Sequence, residues 1–316
     1  MMIRTPELLV EYKRDSLIEQ EHYGYIIVAD KEHIIDSKGD SANYPFFLRS
    51  CAKPLQASLL IDYGMDIRYN MTEQEIALCC GSHAGESIHI NIAQTLLEKI
   101  GINENQLKCG IHKPLSKTEQ TRMLLAGEQA RTLHNNCSGK HIFMLGLCKM
   151  NGWDLETYDE LNHPLQQAIK KKIYDLCELK KEYPITKDGC GVPIFAMPLF
   201  NMVKGYLNMF TNPRYEKIKT AILNNPYIIG GEDRTDTKII ANSKNLIAKT
   251  GAGGLFIVVN TETEEGLVVK ICDSDMKARE LVVTDSLKNL HWADIEADHS
   301  IKTLHGNVVG EIITLL

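Results

Sequence analysis

Arg49-Ser50-Cys51-Ala52-Lys53-Pro54 stands where a strand-rich start gives way to a long helical run, and it sets a hydroxyl and an amine three residues apart. On a helical turn the side chains at i and i+3 share a face, which would bring the Lys53 amine to the Ser50 hydroxyl. Pro54 fits only the first helical turn and biases Lys53 away from the α region, so the pair is expected at the helix entrance rather than inside it. There the positive end of the helix favours a developing anion. A lysine kept neutral by burial and nearby cations can take the serine proton and leave a nucleophile for an acyl carbon. An isolated match reads better as a helix-capping serine beside a solvated lysine, so the weight falls on what accompanies it.

Upstream, Tyr23 to Asp30 and His33 to Asp36 are apolar and β-branched with a polar turn between them, which predicts a hairpin. Downstream of Pro54, Leu55, Leu59 and Leu60 recur at helical spacing and Gly64 supplies a stop. Thr72-Glu73-Gln74-Glu75 reads as a capping box for a helix through Cys80, and a second helix is expected from about Ser87 to Ile100. Further helical stretches are predicted over 117–130, 142–150, 163–177, 199–209 and 214–223. Apolar runs at 246–249, 255–259 and 267–271 then read as strands, followed by a helix over 276–290 and a terminal strand over 308–316. Strands, helices, then strands predict an α+β fold: an antiparallel β-sheet built from both chain ends, with flanking helices and a helical subdomain. The expected organisation is one catalytic domain, 1–316, with a largely helical insertion around 54–225.

Composition narrows the function. Hydrophobic residues at 44% and charged residues at 24% are ordinary for a globular chain. A net charge of -6 gives no basic field for a phosphate backbone, so no nucleic-acid partner is expected. The start, Met1-Met2-Ile3-Arg4-Thr5-Pro6, lacks a secretory pattern, and no apolar run approaches the roughly 20 residues that cross a bilayer; a cytoplasmic protein with no membrane contact is expected. The nine cysteines fit that setting, most of them on apolar helical stretches as buried thiols, as with Cys79, Cys148 and Cys177. Cys137 and Cys190 differ, because each sits in a polar loop with glycine.

Five segments carry the chemistry: Arg49 to Pro54, Gly81-Ser82-His83-Ala84-Gly85-Glu86, Asn136-Cys137-Ser138-Gly139-Lys140-His141, Asp188-Gly189-Cys190-Gly191-Val192-Pro193 and Lys249-Thr250-Gly251-Ala252. Ser-x-x-Lys, a loop serine and Lys-Thr-Gly in this order resemble the triplet of serine β-lactamases and penicillin-binding proteins, although Ser82 is followed by His-Ala instead of Asp-Asn. Together the five segments are similar to the Rhizobium-type L-asparaginases of the asparaginase II family, and the elements between them extend the resemblance over almost the whole chain. It implies a β-lactamase-like fold, a homodimer, and hydrolysis of L-asparagine to L-aspartate and ammonia. It also implies two Ser-Lys tandems, Ser50 with Lys53 and Ser82 with Lys249, and a zinc ion held by Cys137, Lys140 and Cys190. Without the resemblance, two cysteines this far apart read as buried thiols, and a lysine ligand must first lose its proton.

Amide hydrolysis needs a nucleophile, a base that later protonates the leaving ammonia, and donors facing the oxyanion. Ser50 is assigned as nucleophile and Lys53 as its base, with Ser82 and Lys249 relaying protons and holding the amide. Two lysines in one pocket repel, which keeps a neutral amine available. Arg49 and His141 are candidates for the charged ends of an amino-acid substrate, with His83 and Gly251 as further contacts. Asp188 suits the surroundings of the metal. The Gly230-Gly231 loop with Arg234 and Asp236 is either a rim of the site or a solvated turn. The alternatives are a glutaminase or another Ser-Lys amidohydrolase, and a non-catalytic amino-acid or zinc-binding protein of the same fold.

Overall fold

The hairpin predicted ahead of Ser50 forms in the computed structural model, which describes residues 4–40 and 44–316. Strands β1 (Glu7–Arg14), β2 (Leu17–Ala29) and β3 (Ile34–Lys38) open the chain. The last third supplies β4 (Leu246–Thr250), β5 (Leu255–Asn260), β6 (Glu265–Ile271), β7 (Ser300–Lys302) and β8 (Val308–Thr314). They form one antiparallel sheet in the order β7-β8-β1-β2-β6-β5-β4, with β3 also on β2. The long β2 makes this possible. Its first half pairs with β1, while its second half has β3 on the same side and β6 on the other. β4, β5 and most of β6 are buried runs, as a sheet covered on both faces requires.

Between β3 and β4 the chain is mostly helical. Helices α1 (Ala52–Asp62), α2 (Glu73–Cys80), α3 (Ser87–Ile100), α4 (Lys117–Ala126), α5 (Ser138–Asn151), α6 (Pro164–Leu176), α7 (Leu199–Phe210), α8 (Glu216–Asn224) and α9 (Thr235–Ala241) follow in order. α10 (Met276–Asn289) comes after β6. The capping box at α2 is present, Thr72 Oγ1 accepting from Glu75 N and Glu75 Oε2 accepting from Thr72 N. Two helices begin inside predicted loops: α5 starts at Ser138, four residues earlier than expected, and α9 starts within the charged glycine loop. α4 ends at Gly127, whose φ of 67° closes the helix before the predicted 130.

α1 and α5 are buried almost all round, unlike the two-faced α3 and α6. A helix apolar on every side belongs inside the molecule, so the segments bearing Lys53 and Lys140 are held at its centre. The buried apolar side chains form one cluster that runs from the sheet into these helices. Among the described residues, no helix is long and apolar enough to cross a membrane.

Candidate active site

The Ser50 segment is a single 3-10 turn, Arg49–Cys51, leading directly into α1. Arg49 has φ of 48°, a left-handed backbone that a non-glycine residue adopts at a cost of about 1–3 kcal/mol. The turn is over-determined by its surroundings: Leu48 N donates to Phe195 O, the Tyr206 hydroxyl donates to Cys51 O at 2.7 Å, and the Cys51 thiol donates to Lys249 O at 3.3 Å. Gly251 belongs to this contact. A Cβ there would lie 2.9 Å from Cys51 Sγ, so glycine lets the β4 end approach the turn. Lys53 falls within the first turn of α1 rather than outside it, because the 3-10 turn continues into the helix and its amine is anchored in the interior.

Lys53 is 1% exposed, and its amine donates to Gly81 O at 2.8 Å, Ser82 Oγ at 2.9 Å and Asn136 O at 2.7 Å. An ammonium has three donors, and all are used. The hydroxyl in contact with Lys53 is therefore Ser82, across the site, and not Ser50 three residues before it. Burial lowers the Lys53 pKa to about 8, with Lys249 and Lys140 adding repulsion and the Cys137 and Cys190 sulfurs opposing it.

The Ser82 loop is fixed from behind. Ser82 N donates to Ile229 O, and Glu86 Oε1 accepts from Glu232 N while Tyr227 donates to its other oxygen. These bonds tie the loop between α2 and α3 to the Gly230-Gly231 loop. Gly85, with φ of 73°, turns the chain where a Cβ would sit 2.8 Å from His134 O.

Lys249 is as buried as Lys53 but has a different partner. Its amine lies 3.4 Å from Asp236 Oδ2 and donates to Thr250 O at 3.0 Å. Burial lowers its pKa and Asp236 works against that lowering. Burial would raise the Asp236 carboxyl, yet Lys249 and Arg234 hold it below the usual range. The expected contact of Lys249 with Ser82 is replaced by this ion pair. Asp236 is 0% exposed, buried behind the residues that line the site, so the reading of its loop as a solvated turn does not extend to it.

Ser50, Ser82, Asn136, Thr250, Gly251, Arg234 and Arg279 line a pocket of about 260 Å³. Arg49 lies apart from these, its Nε bonded to Asp188 Oδ1 at 2.9 Å. His83 is fully buried. Its Nδ1 accepts from Gly85 N, so Nε2 carries the proton and donates to Ser138 Oγ at 2.9 Å, and burial holds the ring neutral. His141 is buried too, with Nδ1 accepting from the Tyr158 hydroxyl at 2.7 Å and Nε2 left without a partner among the described residues. Burial, then Lys140 and Lys53, push its pKa well down. Both rings are thus built into the frame of the site.

Cys137, Lys140 and Cys190 come together next to Asn136, which lines the pocket. Lys140 Nζ is 2.9 Å from Cys190 Sγ, and the Cys137 thiol donates to Asn136 Oδ1 at 3.4 Å. The neighbouring Cys190 sulfur, with Lys53 and Lys140, holds the Cys137 thiol well below its ordinary range, although burial opposes it. Among the described residues no three His, Cys, Asp or Glu side chains gather where they could hold a metal. The donor set here is two sulfurs and one amine, which suits a borderline-soft ion such as zinc once the amine has lost its proton.

Sequence reading passed over Arg279, whose Nη1 donates to Gly251 O at 3.1 Å and whose guanidinium lies 5.7 Å over the Phe256 ring. It also left Asn136 without a role, although its carbonyl holds Lys53. A cation in a helical stretch 30 residues beyond Lys249 carries no local signal of that contact.

No curated protein matches the chain. Among solved structures it is similar to a beta-lactamase from Mycobacterium bovis, with 13% identity, 85% of this chain and 95% of that one covered, and a TM-score of 0.43. A putative beta-lactamase from Bacteroides dorei has 12% identity, 79% and 85% coverage, and a TM-score of 0.40. The L-asparaginase II family matches over residues 10–313, nearly the whole chain and all the residues of this site. The chain belongs to the L-asparaginase II family, a family of asparaginase-type amidohydrolases.

Proposed function

We propose that the protein hydrolyses the side-chain amide of L-asparagine to L-aspartate and ammonia. The observation that carries this reading is the contact of a fully buried lysine, with no carboxylate partner among the described residues, with a serine hydroxyl: Lys53 Nζ to Ser82 Oγ, 2.9 Å. An amine with a pKa near 8 is partly neutral at physiological pH and can serve as a base.

Ser50 acts as the nucleophile, being the more open of the two motif serines that line the pocket. Lys53 takes the Ser82 proton while Ser82 takes that of Ser50, and Ser50 Oγ attacks the amide carbon. The tetrahedral intermediate collapses when the proton returns through Ser82 to the leaving nitrogen, which departs as ammonia. Water then repeats the attack on the Ser50 ester and releases L-aspartate. Lys249, paired with Asp236, would when protonated stabilise negative charge nearby. A second reading, with Ser82 itself as nucleophile, is favoured by its direct contact with Lys53; trapping the acyl-enzyme and locating the modified peptide by mass separates the two.

Cys137, Lys140 and Cys190 would hold zinc, which supplies positive charge to orient a polar substrate. Arg49 and Asp188, close to this corner, fix the loop that bears Cys190. The homodimer implied by the family resemblance belongs to the same proposal, and light scattering of the purified protein reads it. Ammonia release from L-asparagine by the zinc-loaded protein is the main test; glutamine and a chromogenic β-lactam are the comparison substrates. No turnover of L-asparagine would sink the reading.

A further inference from the structure

Three arginines surround the site, and two are committed. Arg49 is bonded to Asp188. Arg279 is buried, with Nη1 donating to the Gly251 carbonyl, its face on Phe256 and its Nε shut off from solvent with no partner among the described residues. Arg234 is different: it lines the pocket, half-buried, and its guanidinium has no hydrogen bond or ion pair among the described residues. Its backbone is nonetheless fixed, since Arg234 precedes α9 and its carbonyl accepts from Lys238 N at 3.0 Å.

The charge around it is lopsided. The pocket wall carries two guanidiniums and no carboxylate. Asp236 lies behind the wall, wholly buried and engaged with Lys249 and Thr250 N. In a chain of net charge -6, a concave wall lined by two guanidiniums, with its nearest counter-charge Asp236 buried behind it, is a specific feature, and low-dielectric walls focus its field on an anion. A planar guanidinium with free donors matches a carboxylate in fork geometry. The pocket's volume of about 260 Å³ falls just under the roughly 300–1,000 Å³ of drug-sized sites, which suits a small molecule.

We infer that Arg234 is the carboxylate receptor of this pocket, so that the substrate class is a free α-amino acid whose carboxylate pairs with Arg234 while its side-chain amide reaches the serines. The inference rests on the proposed amide hydrolysis and moves the carboxylate contact from Arg49, where the sequence suggested it, to the far wall. An amide lacking the α-carboxylate leaves Arg234 unpaired and is rejected; a peptide-bound asparagine is rejected for the same reason.

The test compares ammonia release from L-asparagine and from β-alaninamide, which keeps the amine and the amide but has no α-carboxylate, in the wild type, Arg234→Gln and Arg234→Lys. The preference for L-asparagine, measured as the ratio of kcat/KM values, should fall roughly 10- to 100-fold in Arg234→Gln, chiefly through KM, with part of it recovered in Arg234→Lys. Equal losses for both substrates would overturn the assignment. Calorimetric binding of L-aspartate to the same three proteins reads the contact without turnover. If the wild type releases no ammonia yet L-aspartate binding weakens at least about tenfold in Arg234→Gln, the carboxylate site stands and the hydrolysis fails. Binding that is equal in all three proteins overturns the carboxylate site whatever turnover does.

Discussion

Lys53 and Lys249 are both 1% exposed, yet their partners differ: Lys249 has a buried carboxylate at 3.4 Å, and among the described residues Lys53 has none. Lys53 is held by two carbonyls and a hydroxyl, dipoles that orient an amine without fixing its charge. Desolvation therefore acts unopposed by any carboxylate on the first lysine and is countered on the second. The site thus obtains two buried lysines of the same type, one lowered with no carboxylate beside it and one whose lowering a carboxylate counters. Asp236, placed next to one lysine and away from the other, makes the division.

The largest expected effect follows from the base. Lys53→Met should lower kcat/KM for L-asparagine by roughly 10²- to 10⁴-fold, the usual range for losing a general base, while circular dichroism stays native because an apolar stem fills the same space. Asp236→Asn attacks the other lysine. Leaving Lys249 buried without its counter-charge should cost about 3–5 kcal/mol in urea unfolding. A loss no greater than that of a surface substitution would show that Lys249 is neutral and would erase the contrast.

The pH profile sharpens it further. Activity that needs neutral Lys53 should climb about tenfold per pH unit below its pKa of about 8 and level off above it. Stability moves in the same direction. Between about 8 and the ordinary 10.5 the unfolded chain holds a proton on Lys53 that the folded chain lacks, so stability rises with pH across that window. A smaller effect is expected at Tyr206, whose hydroxyl supports the Ser50 turn through Cys51 O. Tyr206→Phe should cost about 1 kcal/mol and lower activity modestly, against no effect if the turn holds its shape unaided.

Much of the fold is local and so could be read. The strand runs at both chain ends, the capping box at Thr72 and the glycine stop at Gly64 follow from period and cap chemistry. α9 escaped because seven residues are too few for a helical period to show beside the charges of its loop. The site divides in the same way. Ser50, Ser82 and Gly251 do line one pocket, and Cys137, Lys140 and Cys190 do converge. Which serine meets which lysine depends on how the Ser82 loop docks on Ile229, and spacing along α1 carries no trace of it. Arg49 with Asp188, 139 residues apart, is a tertiary pair of the same kind.

The most direct measurement is the titration of the two lysines, followed by nuclear magnetic resonance on protein with isotope-labelled lysine and assigned with Lys53→Met and Lys249→Met. Lys53 should titrate near 8 and below Lys249. Lys53 titrating at the ordinary 10.5, or above Lys249, would contradict its role as the neutral base.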